Sequence, residues 1–418
     1  MKRKTLPVKI PVYASLFVLP IIVFFSVAGH QFMTAWYDQW MVINRFTIGG
    51  LDIHNIGVIF GETYHGQYAP INQLIYTVLY SIFGADPQAF HLASLLYHAI
   101  NTCLVYAFVK TLLGLREREN VKVVWVAAFL TATLFAIHPV NTEVVAWVSA
   151  SKVSLYVLFG LSALLCYMRY LKSDSKAAFI FSIVLFILSF GCSEQALTLP
   201  LLAPLIDWFA GRDLRDKKLW LEKIPFLLVA LAGGVFMLSL RNAHPDQFRV
   251  VYPVRQLMIF NCYTLTDYLT KLVIPINLMY IYPFPIAAGD LVPSHFFIYP
   301  VIVAAMSGIV VYCRKHATFV FGILFFLLNV LPTLHPVLTS RVVINADRYI
   351  YLSGVGFFIM VAWYGIKRFI QLSKCGKILV CIAFIAYMSY LTAYTVKQSE
   401  VWHDDDTLKK EIREWVEG

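Results

Sequence analysis

Eleven apolar stretches, each long enough or nearly long enough to cross a bilayer, decide what this chain can fold into. They fall at residues 8–28, 89–113, 121–139, 152–171, 177–193, 195–211, 224–241, 295–313, 317–336, 350–369 and 377–396. A bilayer core takes about 20 helical residues, and within it the backbone must bond to itself. The expected architecture is an all-α polytopic membrane protein with about 11 transmembrane helices. Composition agrees, with 59% hydrophobic residues, 14% charged residues and a mean hydropathy of +0.69. A soluble domain carries about 25% charge. Val8–Ala28 follows the basic start MKRKTLPVK and lacks a clear small-x-small cleavage site, so it reads as an uncleaved anchor. The seven cysteines show no metal or disulfide spacing and read as small hydrophobes.

Basic residues set the expected orientation. Of the 34 Lys and Arg, 22 lie in one alternating set of connections: the amino terminus, then 110–122, 169–176, 212–223, 314–315 and 367–377. Positive-inside bias places that set in the cytoplasm, and this distribution, not nucleic-acid binding, accounts for the net charge of +10. The segment Arg255 to Asn277 would invert every later loop if it crossed, so it reads as an outer-side helix. Ile71 to Gly84 is amphipathic and short, and reads as a helix at the interface. The expected parts are a transmembrane unit over 1–396, with a first outer loop at 29–88 and an outer segment at 242–294. A short outer helix follows within 397–418.

With this parity the polar residues gather on the outer face. The first polar break, Gln31 to Pro70, carries Asp38, Asp52, Glu62, His54 and His65 among Trp36, Tyr37, Trp40, Tyr64 and Tyr68. A carboxylate partly desolvated among aromatics gains proton affinity and can serve as a general base. The same residues also suit an ordinary interfacial aromatic belt. His91, His138, Glu143, Lys152, Glu194, Arg255 and Arg348 lie on the same side. Glu143 and Glu194 sit at helix starts, where a capping role is the plain alternative. His138, before Pro139, reads as structural at least as readily as ligating. Arg348, near a helix amino terminus, suits a phosphate, or else an ion pair with Asp347 or another acid. No P-loop, HExxH, GxSxG or dinucleotide fingerprint is present, which disfavours a nucleotide-dependent soluble enzyme.

Four segments, FAIHPVNTEVVAWVSASKVSLYVLF, CSEQALTLPLLAPLIDW, NADRYIYLSGVGF and EVWHDDDTLKKEI, resemble successive motifs of the transmembrane and tetratricopeptide-repeat O-mannosyltransferases, within the GT-C superfamily. YHGQYAPINQLIYTVLYSIFGADPQAFHLASLLYHAINTCLVY is similar to that family's segment around the second span. The resemblance runs from about Trp36 to Trp415. It implies a GT-C-type bundle and transfer of a sugar from a polyprenyl-phosphate donor to an acceptor hydroxyl, on protein or glycan, outside the membrane. Asp38 matches the family's catalytic base. The family usually has a second acid beside it, and here that position is Gln39. The reading is therefore cofactor-free with no metal ligands assigned, and a divalent cation recruited between Asp38 and the donor phosphate is the less favoured alternative. Arg348, Lys152, Glu143, Glu194, His138, His65, Tyr68, His91 and Arg255 are the expected substrate-binding residues. A bacterial inner membrane with a periplasmic site, or an endoplasmic-reticulum membrane with a lumenal one, would suit it. A lipid-linked saccharide transporter and a non-catalytic scaffold subunit are the rival readings.

Overall fold

The computed structural model describes residues 9–63, 67–117, 120–243, 252–334 and 343–417. Helix dominates, and the described residues hold just one two-stranded antiparallel pairing, Tyr282–Pro283 with Val343–Asn345. The amino-terminal helix α1 (Lys9–Val23) leads into a 3-10 turn, Phe25–Gly29. Four helices then build the first loop: α2 (Asp38–Met41), α3 (Arg45–Ile48), α4 (Ile53–Gly61) and α5 (Pro70–Phe83). The bundle continues through α6 (Pro87–Arg116), α7 (Val121–Ile137), α8 (Thr142–Ala146), α9 (Ser151–Ser173), α10 (Lys176–Cys192) and α11 (Leu199–Phe209). After α12 (Lys217–Leu221) come α13 (Ile224–Ala243) and α14 (Val254–Val273). The last helices are α15 (Ile298–Tyr312), α16 (Ala317–Val330), α17 (Ser353–Gln371), α18 (Lys374–Glu400) and α19 (Asp405–Glu417).

Helix occupies each of the eleven expected spans. Four are, unaided, long and apolar enough to cross a membrane: α6, Val148–Ser173, Ser294–Tyr312 and α18. The bent pair Val121–Ile137 with Pro139–Ala146 makes a fifth. The apolar stretches Ile10–Val23, Lys176–Cys192, Ile224–Met237 and Ala317–Thr333, in α1, α10, α13 and α16, are shorter among the described residues. Helix α14 is not among the helices apolar enough to cross, as its Asp267 and Lys271 would suggest. The fold is that of an all-α membrane protein.

One large apolar core joins α1, α6, α7, α9, α10, α11, α16 and α17. Helices α16 and α17 cross with backbones nearly touching. A Cβ on Gly322 would lie 2.6 Å from the Gly356 carbonyl oxygen, and one on Gly356 would lie 2.5 Å from that of Gly322. Only glycine fits at such a crossing, the usual device where helices pack within lipid. A second apolar cluster, with Tyr252, Phe260, Tyr282, Phe296 and Ile344, holds α14 to the strand pair. A third, small one, Val42, Tyr76, Phe90 and Val148, floors the first loop. At the end of the bundle away from Asp38, Lys223 is fully buried against Asp207 at 2.8 Å, with Arg212 also on Asp207 at 3.0 Å. Buried charges persist only when paired in this way.

Candidate active site

Asp38 opens α2 and is 1% exposed. The loop before it folds back so that the Met33 N–H donates to Asp38 Oδ2 at 2.8 Å. Oδ1 accepts from the Ser149 N–H at 3.0 Å and from the Ser149 hydroxyl. The indole N–H of Trp147 sits beside the same carboxylate without reaching hydrogen-bond geometry. Burial pushes the Asp38 carboxyl up to about 6, while the bonds from Ser149 and Met33 pull it the other way. A carboxylate has about four lone-pair sites, and three are filled here.

A break in one helix brings Ser149 to this place. Pro139 has no N–H to continue α7, and the chain bends by 55° into α8. The carbonyls freed at the break find other donors. Asn141 Nδ2 donates to the Phe135 carbonyl at 2.6 Å, and Thr395 Oγ1 of α18 to that of Ile137 at 2.7 Å. Buried His138, one of the expected substrate-binding residues, accepts from the Val140 N–H through Nδ1 at 3.4 Å and so helps to form the turn. Beyond α8 the chain makes a 3-10 turn, Val148–Ala150, pinned by the Tyr76 hydroxyl to the Val148 carbonyl at 2.7 Å and to Ser151 Oγ at 2.9 Å.

The same bend positions Glu143, which is 4% exposed. Its carboxylate accepts the Arg348 backbone N–H at 2.8 Å and also the guanidinium. Of the two partners the sequence left open for an ion pair with Arg348, Asp347 or another acid, the structure shows another acid, Glu143. Consecutive side chains diverge, and Asp347 turns to Lys271 at 3.1 Å and to the Tyr282 hydroxyl at 2.8 Å. Burial raises the Asp347 carboxyl to about 6 although Lys271 lowers it. Lys271 also meets Asp267 at 2.8 Å. Trp147 joins the two halves of the site. Its ring lies 5.6 Å from the Arg348 guanidinium and stacks on Trp402 at 5.5 Å. The turn after α18 closes the back of the site. The Gln31 N–H donates to the His403 carbonyl at 2.8 Å, and Thr34 Oγ1 and the Ala35 N–H reach Asp405 at 2.7 and 2.9 Å.

Beside Asp38 lies a narrow cleft lined by Asn44, Glu62, Gln67, Asn72, Ser149 and Lys152, among others. About 40 Å³ of it is open to the centres of water molecules, room for a few waters or a hydroxyl-bearing side chain but not a sugar ring. Lys152 Nζ donates to Gln67 Oε1 across it at 2.8 Å. The other acids of the loop have local roles. Asp52 caps α4, and Glu62 pairs with exposed Arg45 at 2.6 Å. Tyr68 ties the loop down, donating to the Phe60 carbonyl at 2.9 Å with its ring on Phe236.

The remaining expected residues are neither in the cleft wall nor among the groups that bond to Asp38. His91 is buried, with Nε2 3.3 Å from the Gln31 carbonyl, and belongs to a chain of rings with His30 and His403. Arg255 is exposed on α14, whose apolar cluster is separate from that beneath Asp38. Glu194 is exposed at the head of the turn Glu194–Thr198. His65 and Tyr64 fall outside the described residues. Among the described residues no group of three or more His, Cys, Asp or Glu side chains is placed to hold a metal ion. Ser149, Trp147, Trp402, Lys271 and Tyr282 escape sequence reasoning, because each matters through a partner distant in the chain.

Fold and site define a multi-pass α-helical membrane protein with a buried carboxylate set beside an ion-paired arginine. No family model matches the chain. It is similar to the protein O-mannosyl-transferase Tmtc1 of Drosophila melanogaster, 30% identical over 155 residues, which is 37% of this chain and 17% of that protein. It is also similar to the protein O-mannosyl-transferase F38B6.6 of Caenorhabditis elegans, 26% identical over 278 residues, 63% of this chain and 38% of that one. The human protein O-mannosyl-transferase TMTC3 is 25% identical over 215 residues, 48% of this chain and 22% of its own length. The match thus covers well under half the length of these curated relatives. Their names support the glycosyltransferase reading of the sequence.

Proposed function

We propose that this chain is a glycosyltransferase that moves a sugar, mannose by analogy with its relatives, from a polyprenyl-phosphate donor to a Ser or Thr hydroxyl of a protein. The reaction takes place on the outer side of the membrane. The observation that carries the proposal is Asp38, a buried carboxylate of raised proton affinity held by Ser149 and Met33, a tryptophan away from Arg348. The acceptor oxygen attacks the anomeric carbon as its proton passes to Asp38. The lipid phosphate leaves with a second negative charge, which Arg348 and Lys152 offset. A single displacement without a protein nucleophile inverts the anomeric carbon.

Membranes carrying the chain are expected to transfer mannose to a synthetic threonine peptide from polyprenyl-phosphate mannose and not from a nucleotide sugar. Transfer from the nucleotide sugar alone would refute this reading. Turnover is further expected to persist in excess EDTA, because fixed cations at Arg348 and Lys152 supply the charge that a divalent ion would otherwise bring. Loss of activity in chelator, restored by Mg²⁺ or Mn²⁺, would make Asp38 a ligand instead.

A further inference from the structure

Asp38 does not itself face the cleft. It is 1% exposed and absent from the cleft wall, whereas Ser149 lines that wall and donates its hydroxyl proton to Asp38 Oδ1. A hydroxyl that enters the cleft meets Ser149 before it meets the base. Ser149 cannot swing aside easily. Its N–H is held by the same Oδ1 at 3.0 Å, and the Tyr76 hydroxyl fixes Val148 before it and Ser151 two residues after it. A hydroxyl both donates and accepts, so it can take one proton while giving up another.

We propose that Ser149 is a catalytic residue that relays the acceptor's proton to Asp38. This rests on the reading of Asp38 as the base. As the acceptor oxygen bonds to the anomeric carbon and the carbon–oxygen bond to phosphate breaks, the acceptor proton moves to Ser149 Oγ. The proton already on Oγ moves to Asp38 Oδ1. Ser149 ends as it began, Asp38 is neutral, and the lipid phosphate carries the second negative charge, so two negative charges stand on each side of the reaction. The relay explains why a base can be sealed from water, where its proton affinity is set by burial, and still serve a substrate outside the seal. Lys152, on the same wall and bonded to Gln67, puts a positive charge near the oxygen that is losing its proton.

The test uses the full chain in lipid nanodiscs, with polyprenyl-phosphate mannose and a synthetic threonine peptide as probes. Ser149→Ala is expected to lower kcat about a hundredfold, the usual worth of a positioned proton-transfer group, with the KM for donor unchanged. Ser149→Thr keeps the hydroxyl and is expected to retain most of the activity. In mixtures of H₂O and D₂O the parent is expected to show two protons in flight and Ser149→Ala one. Thermal unfolding at the parental temperature shows that each variant is folded. Parental turnover by Ser149→Ala would overturn the relay, and so would equal losses in the alanine and threonine variants, since these would report packing alone. Asp38→Asn separates the two readings. If it is inactive while Ser149→Ala is normal, the base stands and the relay falls. If it is fully active, the base reading itself has failed.

Discussion

Asp38→Asn is expected to cut turnover at least about a hundredfold while the protein still folds. The carboxyl is raised to about 6 from an ordinary value near 3.8, chiefly by burial. The sign follows directly. The base must be ionised, so parental turnover should fall as pH drops through about 6, well above the point where an exposed aspartate would titrate. The same shift bears on stability. The folded state binds the Asp38 proton more tightly than the unfolded state does, so this residue's contribution is greatest below the unfolded value and is lost as pH rises toward 6. Two units correspond to roughly 3 kcal/mol against the ionised form at neutral pH. Asparagine is never ionised and avoids that cost, which offsets the N–H bond its amide nitrogen cannot accept. The variant should therefore unfold at a temperature no lower than the parent at neutral pH. Near-normal turnover by folded Asp38→Asn, or a parental rate flat down to pH 4, would remove Asp38 from the mechanism.

Arg348→Ala is expected to strike stability and activity together. Glu143 would be left buried without its cation, and an orphaned charge of this kind costs about 3–5 kcal/mol. Arg348→Lys keeps the charge but not the planar fork, so it should lose less of both. Glu143→Ala should destabilise about as much as Arg348→Ala, yet leave a guanidinium able to meet a phosphate. Chemical unfolding of the purified variants and binding of polyprenyl-phosphate mannose separate the two effects. If parent, Arg348→Ala and Arg348→Lys all bind that lipid alike, the arginine is a structural partner of Glu143 and nothing more.

Hydropathy makes the helices legible in the sequence, since lipid leaves the backbone few choices. Within the Val8–Ala28 run, Lys9–Val23 forms α1 and a 3-10 turn follows, and Ile71–Gly84 appears as α5, which ends at Gly84 with φ +66°. At the first polar break the sequence offers Asp38, Asp52 and Glu62 alike among aromatics, and only the family resemblance singles out Asp38, which the fold buries. Partnerships were not legible. Glu143 and Arg348 lie 205 positions apart, and Asp347 and Lys271 lie 76 apart. Nothing local to either sequence position records which helices will be neighbours. Ser149 was hidden for a further reason. It is one small polar residue in a run of small residues, and only the bend at Pro139 carries it to the carboxylate.

The turn after α18 gives the molecule an order of events. Protein chains are made from the amino terminus, so the loop bearing Asp38 leaves the ribosome hundreds of residues ahead of Trp402, His403 and Asp405. Until those residues arrive, Gln31, Thr34 and Ala35 lack their hydrogen-bond partners, and Trp147 lacks the ring that stacks on it. An Asp38 still bathed in water is an ordinary weak base. A half-translated chain would therefore sit in the membrane with every element of the first loop already made and no capacity to attack sugar donors. On the proposed function, activity would begin only once Trp402, His403 and Asp405 have left the ribosome and docked.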